Sequence, residues 1–214
     1  MPVRAKICGL TRPADAAAAV AAGADYLGVV FAGGPRRVTA LQAAEIRAAA
    51  AGVPFMGVFG AQSVDEILRL SRALGLDGAQ LHGAYGRKDA ARLRAEGLLV
   101  WRVVRLGGAA DLGLLPAAMA QADAVLVEPR VAHASGGTGT PLDLALARQA
   151  RTGLAGGAMV LAGGLTPESV ATAVALVRPD VVDVSSGVEH LPGIKDPDKI
   201  ARFLEAVVGH SVIN

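Results

Sequence analysis

The residues with the most chemical capacity in this 214-residue chain stand singly, at the ends of short apolar runs. Cys8 closes the run Val3 to Cys8 within Lys6-Ile7-Cys8-Gly9-Leu10-Thr11, and Glu128 closes Ala124-Val125-Leu126-Val127-Glu128. A thiol can act as a base when a nearby cation favours its thiolate, and the period of two along a strand puts Lys6 on the same side as Cys8. The bland alternative for a lone cysteine is a small buried hydrophobe. The same alternation sets Ala124, Leu126 and Glu128 on one face. A carboxyl enclosed at a strand end is raised in pKa by desolvation, so it can hold a proton at neutral pH and serve as an acid. In the open it would be a solvated loop residue.

Two further segments read as an anion site. Leu161-Ala162-Gly163-Gly164-Leu165-Thr166 offers close backbone approach at Gly163 and Gly164, and Val184-Ser185-Ser186-Gly187-Val188 adds the hydroxyls of Ser185 and Ser186 beside Gly187. Backbone amides of this kind, with a short helix after the second segment, suit a phosphate; a tight turn is the plainer use of the two glycines. Arg36 or Arg37, in Gly33-Gly34-Pro35-Arg36-Arg37, can clamp a carboxylate with a planar guanidinium. His82 in Gln80-Leu81-His82-Gly83 is placed for hydrogen bonding or for packing. His133, His190 and His210 have no metal-ligand spacing, so no metal site is expected.

These residues need a scaffold that gathers strand ends, and the apolar runs supply one. Eight runs read as strands buried on both faces: Val3 to Cys8, Tyr26 to Phe31, Pro54 to Phe59, Gly78 to Leu81, Leu98 to Val104, Ala124 to Glu128, Ala158 to Ala162 and Val181 to Ser185. Helical spacing fills the intervals at Pro13 to Ala22, Ala40 to Ala50, Val64 to Ala73, Lys88 to Ala95, Ala109 to Ala120, Leu142 to Ala150, Pro167 to Val177 and Pro197 to Val208. Thr39, the Ser63-x-x-Glu66 box, and prolines 13 and 167 mark helix starts. The expected fold is α/β, a single-domain (β/α)8 TIM barrel over residues 1–214 whose reacting groups lie where strands end. A doubly wound open sheet is the rival, disfavoured because no Gly-x-Gly-x-x-Gly follows the first strand.

Composition removes other classes. The chain is 52% hydrophobic and 19% charged, with a mean hydropathy of +0.43, which excludes disorder. A net charge of +2 from 21 basic and 19 acidic residues leaves no basic stripe, so no nucleic-acid partner is expected. No apolar stretch approaches the roughly 18 residues of a membrane span. The start lacks the apolar core of a cleavable leader and the only cysteine cannot pair within the chain, so a cytoplasmic location is expected.

Taken together, Lys6 to Thr11, Gly34-Pro35-Arg36-Arg37-Val38, Gln80 to Gly83, Gly136-Gly137-Thr138-Gly139, Leu161 to Glu168 and Val182 to Glu189 resemble, in order, phosphoribosylanthranilate isomerase of tryptophan biosynthesis. The resemblance implies Cys8 as general base, Arg36 on the substrate carboxylate, phosphate at Gly163, Gly164, Ser185, Ser186 and Gly187, and Asp183 near the anthranilate end. His82 joins the expected substrate-binding residues. Glu128 stands where the family usually has an aspartate acid, and Gly34 where it usually has serine. The stretch Pro129 to Ser135 is about one residue longer than usual, which makes His133 a second candidate acid. The implied reaction is an Amadori rearrangement of N-(5-phosphoribosyl)anthranilate that needs an acid and a base but no cofactor. The expected partner is this small phosphosugar, with the protein a monomer or homodimer. Two rivals remain at this level: another phosphosugar isomerase barrel, which would carry aspartate at position 8, and a catalytically silent barrel that senses phosphosugars.

Overall fold

Eight short strands run parallel around a closed barrel, each paired with the next and the last with the first. They are β1 (Arg4–Ile7), β2 (Tyr26–Val30), β3 (Phe55–Phe59), β4 (Gly78–Leu81), β5 (Leu99–Leu106), β6 (Ala124–Pro129), β7 (Met159–Ala162) and β8 (Val181–Val184). The structure is a computed structural model that describes residues 2–50, 52–131 and 140–211. Helices α1 (Pro13–Ala21), α2 (Ala40–Ala49), α3 (Val64–Leu74), α4 (Arg87–Ala95), α5 (Leu115–Met119), α6 (Leu144–Gly153), α7 (Val170–Val177) and α8 (Pro197–Ser211) follow the strands in turn.

Strand alternation divides the apolar residues into two sets. Ile7, Leu27, Val29, Phe55, Leu81, Val125, Val127, Leu161 and Val182 join the helices in the large outer core. Tyr26, Met56, Trp101, Ala124, Leu126, Val160 and Val181 form a smaller inner cluster that fills the barrel. On β5 and β6 the buried inner set ends at Trp101 and Leu126, below Arg105 and Glu128, and β4 contributes no apolar side chain to it. Polar side chains take over there.

A fourfold device closes the opposite end. Asp25, Asp77, Asp123 and Asp180 each precede an even-numbered strand, and each accepts from the backbone N–H of the preceding odd strand: Ala5 at 2.7 Å, Phe55 at 2.7 Å, Val100 at 2.8 Å and Met159 at 2.7 Å. The amide of each aspartate returns a bond to the carbonyl of that same residue. Arg47, Arg94 and Arg151, from α2, α4 and α6, pair with the last three of these carboxylates.

Helix boundaries depart from the sequence expectation where hydroxyl and proline chemistry intervenes. The Ala109 to Ala120 segment is a 3₁₀ helix over Ala109–Leu114 followed by α5. Pro116 has no N–H to give and is tolerated only in a first turn, so the α-helix begins beside it. Pro167 does not open α7: Ser169 Oγ accepts from the Thr166 amide at 2.9 Å, making a turn, and the helix starts at Val170. Asp143 caps α6 through the amides of Ala145 and Leu146, two residues beyond the expected start. Thr39 makes the full reciprocal capping box with Gln42, whereas Ser63 makes only the forward bond to Glu66. After β8 the expected short helix is one 3₁₀ turn, Ser186–Val188, followed by an unanticipated hairpin of β9 (Glu189–Leu191) and β10 (Ile194–Lys195).

Candidate active site at the carboxyl ends of the strands

Lys6 points into the barrel and is completely buried. Its ammonium donates to Asp183 Oδ1 at 3.0 Å and Gln80 Oε1 at 2.8 Å, and it faces the Cys8 thiol. Lys6 and Asp183 are register partners on β1 and β8, which is why the pair forms. Gly28 on β2 makes the room: a Cβ there would lie 2.9 Å from Lys6 Cε and 3.0 Å from Cys8 Sγ. Burial lowers the Lys6 pKa, but the Asp183 charge and the thiol more than restore it, so the ammonium is held. For Cys8 burial wins and pushes the thiol up, with Lys6 opposing. The expected shared side of Lys6 and Cys8 is present.

Glu128, the penultimate residue of β6, has the inward parity of Leu126 and is buried. Its register partner on β5 is Arg105, whose Nε donates to Glu128 Oε1 at 2.9 Å. Burial raises the carboxyl, and Arg105 opposes without cancelling it. His82 Nδ1 lies 3.7 Å from the same Oε1, and its Nε2 lies 2.7 Å from Gln80 Nε2. Burial, with Arg105 and Lys6 nearby, lowers His82 to about 3. The ring is therefore neutral near pH 7.

Arg36 reaches the same mouth over Gly9. A Cβ at Gly9, whose φ is +70°, would lie 2.6 Å from Arg36 Cδ and 2.7 Å from Ser185 Oγ, so glycine beside Cys8 lets both approach. Arg36 grips Glu189 bidentately at 2.7 Å through Nε and Nη2. Buried Lys195 donates to Glu189 Oε1 at 2.9 Å and to the Ser185 carbonyl at 3.0 Å. Burial would raise Glu189, but Arg36 and Lys195 bring it below the usual carboxylate value.

The seventh and eighth loops lie against each other. A Cβ on Gly187 would sit 1.8 Å from the Leu165 carbonyl oxygen, and one on Gly164, at φ +63°, would sit 2.6 Å from Pro141 N. Gly163, at φ +101°, is pressed on Pro129 in the same way. These glycines thus have a packing reason in addition to the expected anion role. Among the described residues no group of His, Cys, Asp or Glu could hold a metal ion.

The structure brings together Cys8, His82, Glu128 and Asp183 through Lys6, Gln80 and Arg105, and joins Arg36 to Ser185 through Glu189 and Lys195. His133 and the Gly136–Gly139 segment lie outside the described residues. Sequence reasoning gave no role to Gln80, Arg105, Glu189 or Lys195. The first two carried a signal, since Gln80 shares parity with His82 and Arg105 directly follows the apolar run Leu98 to Val104. Lys195 carried none, because its partner arrives through a hairpin.

The family profile described as N-(5'phosphoribosyl)anthranilate (PRA) isomerase matches residues 5–206. An N-(5'-phosphoribosyl)anthranilate isomerase of Rubrobacter xylanophilus is 40% identical over 205 residues, covering 95% of this chain and 98% of its own. One from Pseudomonas fluorescens is 42% identical over 207 residues, covering 96% and 95%. Among solved structures, the phosphoribosyl anthranilate isomerase of Thermotoga maritima superposes with a TM-score of 0.87 at 34% identity, covering 97% of this chain and 99% of that one. Another, solved in complex with reduced 1-(o-carboxyphenylamino)-1-deoxyribulose 5-phosphate, gives a TM-score of 0.84 at 33% identity over the same shares. With its closed eight-stranded barrel and this likeness along nearly its whole length, the chain belongs to the phosphoribosylanthranilate isomerase family.

Proposed function

We propose that the chain, acting as one barrel domain, performs the family's isomerisation with Cys8 as general base and Glu128 as general acid. The reaction converts N-(5-phosphoribosyl)anthranilate into 1-(2-carboxyphenylamino)-1-deoxyribulose 5-phosphate. Protonated Glu128 gives its proton to the ribose ring oxygen; the C1–O bond breaks and the nitrogen lone pair forms the Schiff base. Thiolate Cys8 then takes the proton from C2, the electrons move to the nitrogen as an enolamine, and tautomerisation gives the ketone. No oxidant or metal enters the balance.

The observation that carries this reading is the presence of two buried groups toward the carboxyl ends of the strands, Glu128 biased toward its protonated form and Cys8 facing the Lys6 cation that opposes the effect of burial on its thiol. Arg36 is proposed for the substrate carboxylate, with His82 and Asp183 lining the anthranilate side. Gly163, Gly164, Ser185, Ser186 and Gly187 are proposed for phosphate, supported by the contact between their two loops and the positive φ of Gly163 and Gly164. A cytoplasmic location belongs to the same reading, supported by the unpaired Cys8. So does a monomer or homodimer, since one neighbour is described as monomers generated from a dimeric enzyme of Thermotoga maritima.

Steady-state turnover of the wild type and Cys8→Ala tests the reading. An isomerase turns over and loses about 10²-fold or more in kcat with the base removed. A phosphosugar sensor would bind the product tightly and turn nothing over.

A further inference from the structure

Between the Lys6–Asp183 ion pair and the Glu128 carboxyl lies a row of side chains whose shortest contacts let donors and acceptors be assigned by elimination. Lys6 Nζ carries only donors, so the Gln80 atom 2.8 Å from it must be the amide oxygen. The Gln80 NH₂ group then faces His82 Nε2 at 2.7 Å, and that nitrogen has to accept. A neutral imidazole that accepts at Nε2 carries its proton at Nδ1. Nδ1 is the nitrogen turned toward Glu128 Oε1, 3.7 Å away, with Arg105 Nη2 at 3.4 Å. Arg105 can only donate, so its Nη2 competes for Nδ1, but at 3.4 Å it is the longer and weaker contact beside the 2.7 Å approach of Gln80 to Nε2, which decides the tautomer. Nδ1–H then points toward Glu128 Oε1, the oxygen that accepts from Arg105 Nε, at more than direct hydrogen-bond distance.

We propose that Gln80 is a positioning residue that fixes His82 in its Nδ1–H tautomer, so that the ring turns a donor rather than a lone pair toward Glu128 and favours the inward position of that carboxyl. The other tautomer would set Nε2–H against the Gln80 NH₂ and turn a lone pair on the Glu128 oxygen. Turning the Gln80 amide to accommodate it would set NH₂ against the Lys6 ammonium. Each alternative places like against like in a buried site, where an unpaired polar group is costly. Side chains of strands β1, β4, β6 and β8 thus share one proton arrangement. The catalytic consequence rests on Glu128 being the acid; the tautomer does not.

The test is a long-range ¹H–¹⁵N correlation spectrum of protein labelled at histidine nitrogens, with His82 assigned by its loss in His82→Asn. The expected result is a protonated, pyrrole-type Nδ1 and a bare, pyridine-type Nε2. Gln80→Glu keeps an acceptor for Lys6 but offers an oxygen to Nε2, so the proton should move to Nε2. In that variant kcat should fall by about tenfold or more, the scale of a small misplacement of a reacting group, with KM within about threefold of wild type. Gln80→Met, which offers neither an amide acceptor to Lys6 nor a donor to His82 Nε2, should lose kcat in the same way. A wild-type His82 protonated at Nε2 overturns the proposal without requiring any variant to fold. So does a Gln80→Glu enzyme with its tautomer exchanged and its kcat intact. If Glu128→Gln were fully active while the Nδ1–H tautomer was observed, the acid assignment would fail and the tautomer assignment would stand.

Discussion

Arg105 and Glu128 are register partners on neighbouring strands, and the guanidinium donates to the carboxyl at 2.9 Å inside an otherwise desolvated mouth. The pair sets two opposed influences on one proton. Burial favours the neutral acid, and the adjacent cation favours the carboxylate. Arg105→Gln removes only the second. The Glu128 pKa should rise further, so the limb of the kcat/KM profile that reports this carboxyl should move to higher pH while the other limb stays. Unmoved limbs would take Glu128 out of the titrating pair.

Gly28 supplies a test of the base that leaves the thiol in place. A methyl at this position would press on both Lys6 Cε and Cys8 Sγ. Gly28→Ala should cost about 1–3 kcal/mol of stability through overpacking and lower kcat by displacing the thiol, with KM little changed. Denaturant unfolding and steady-state kinetics measure the two effects. An alanine variant with full kcat would mean that the position of Cys8 is not critical to turnover.

The phosphate reading is tested by charge, since the glycines there also have packing duties. Ser186→Asp would face the ligand's phosphate with a like charge worth several kcal/mol, raising KM by about 100-fold or more. Competitive inhibition by inorganic phosphate should weaken in parallel. An unchanged KM would move the phosphate away from these loops.

Much of this arrangement was legible because its signals are local. Eight apolar runs, each bounded by Gly, Pro or Asp, identify strands that must be buried on both faces, and parity then turns Lys6, Cys8, Leu126 and Glu128 inward. What stayed illegible depends on which strand lies beside which. The Arg105–Glu128 pair exists only once β5 and β6 are in register, and the Lys6–Gln80 bond crosses the barrel. The four aspartates before even-numbered strands looked like ordinary strand punctuation. Their role appears only when each finds the amide of the preceding odd strand. Helix starts failed where a residue two positions on, such as Ser169, offered the backbone a better partner than the proline did.

Those aspartates make a stability prediction. Each carboxylate accepts a backbone bond of 2.7–2.8 Å, and hydrogen bonds to charged groups contribute about 1.5–3 kcal/mol. Asp77→Ala and Asp180→Ala should each lose about that much in urea unfolding with kinetics unchanged, because they lie at the end of the barrel away from the site. Stability equal to wild type would show the bonds to be dispensable.

Glu189 gives the pH dependence. Its pKa is lower folded than unfolded, so its contribution is present above the unfolded carboxylate value, about 4.3, and is lost as pH falls through the depressed folded value. Glu189→Gln leaves buried Lys195 without its counter-charge, a loss of about 3–5 kcal/mol. The gap in Tm between wild type and variant should be wide at pH 7 and shrink below about pH 4. A gap independent of pH would assign the effect to packing.

The most direct test of the account is the acid. Glu128→Gln keeps shape and polarity but cannot give up a proton, so kcat should fall by about 10² to 10⁴ with KM nearly unchanged. Glu128→Asp should retain measurable turnover, and His133→Ala should behave like wild type. Normal turnover by Glu128→Gln together with an inactive His133→Ala would contradict the assignment and make His133 the acid.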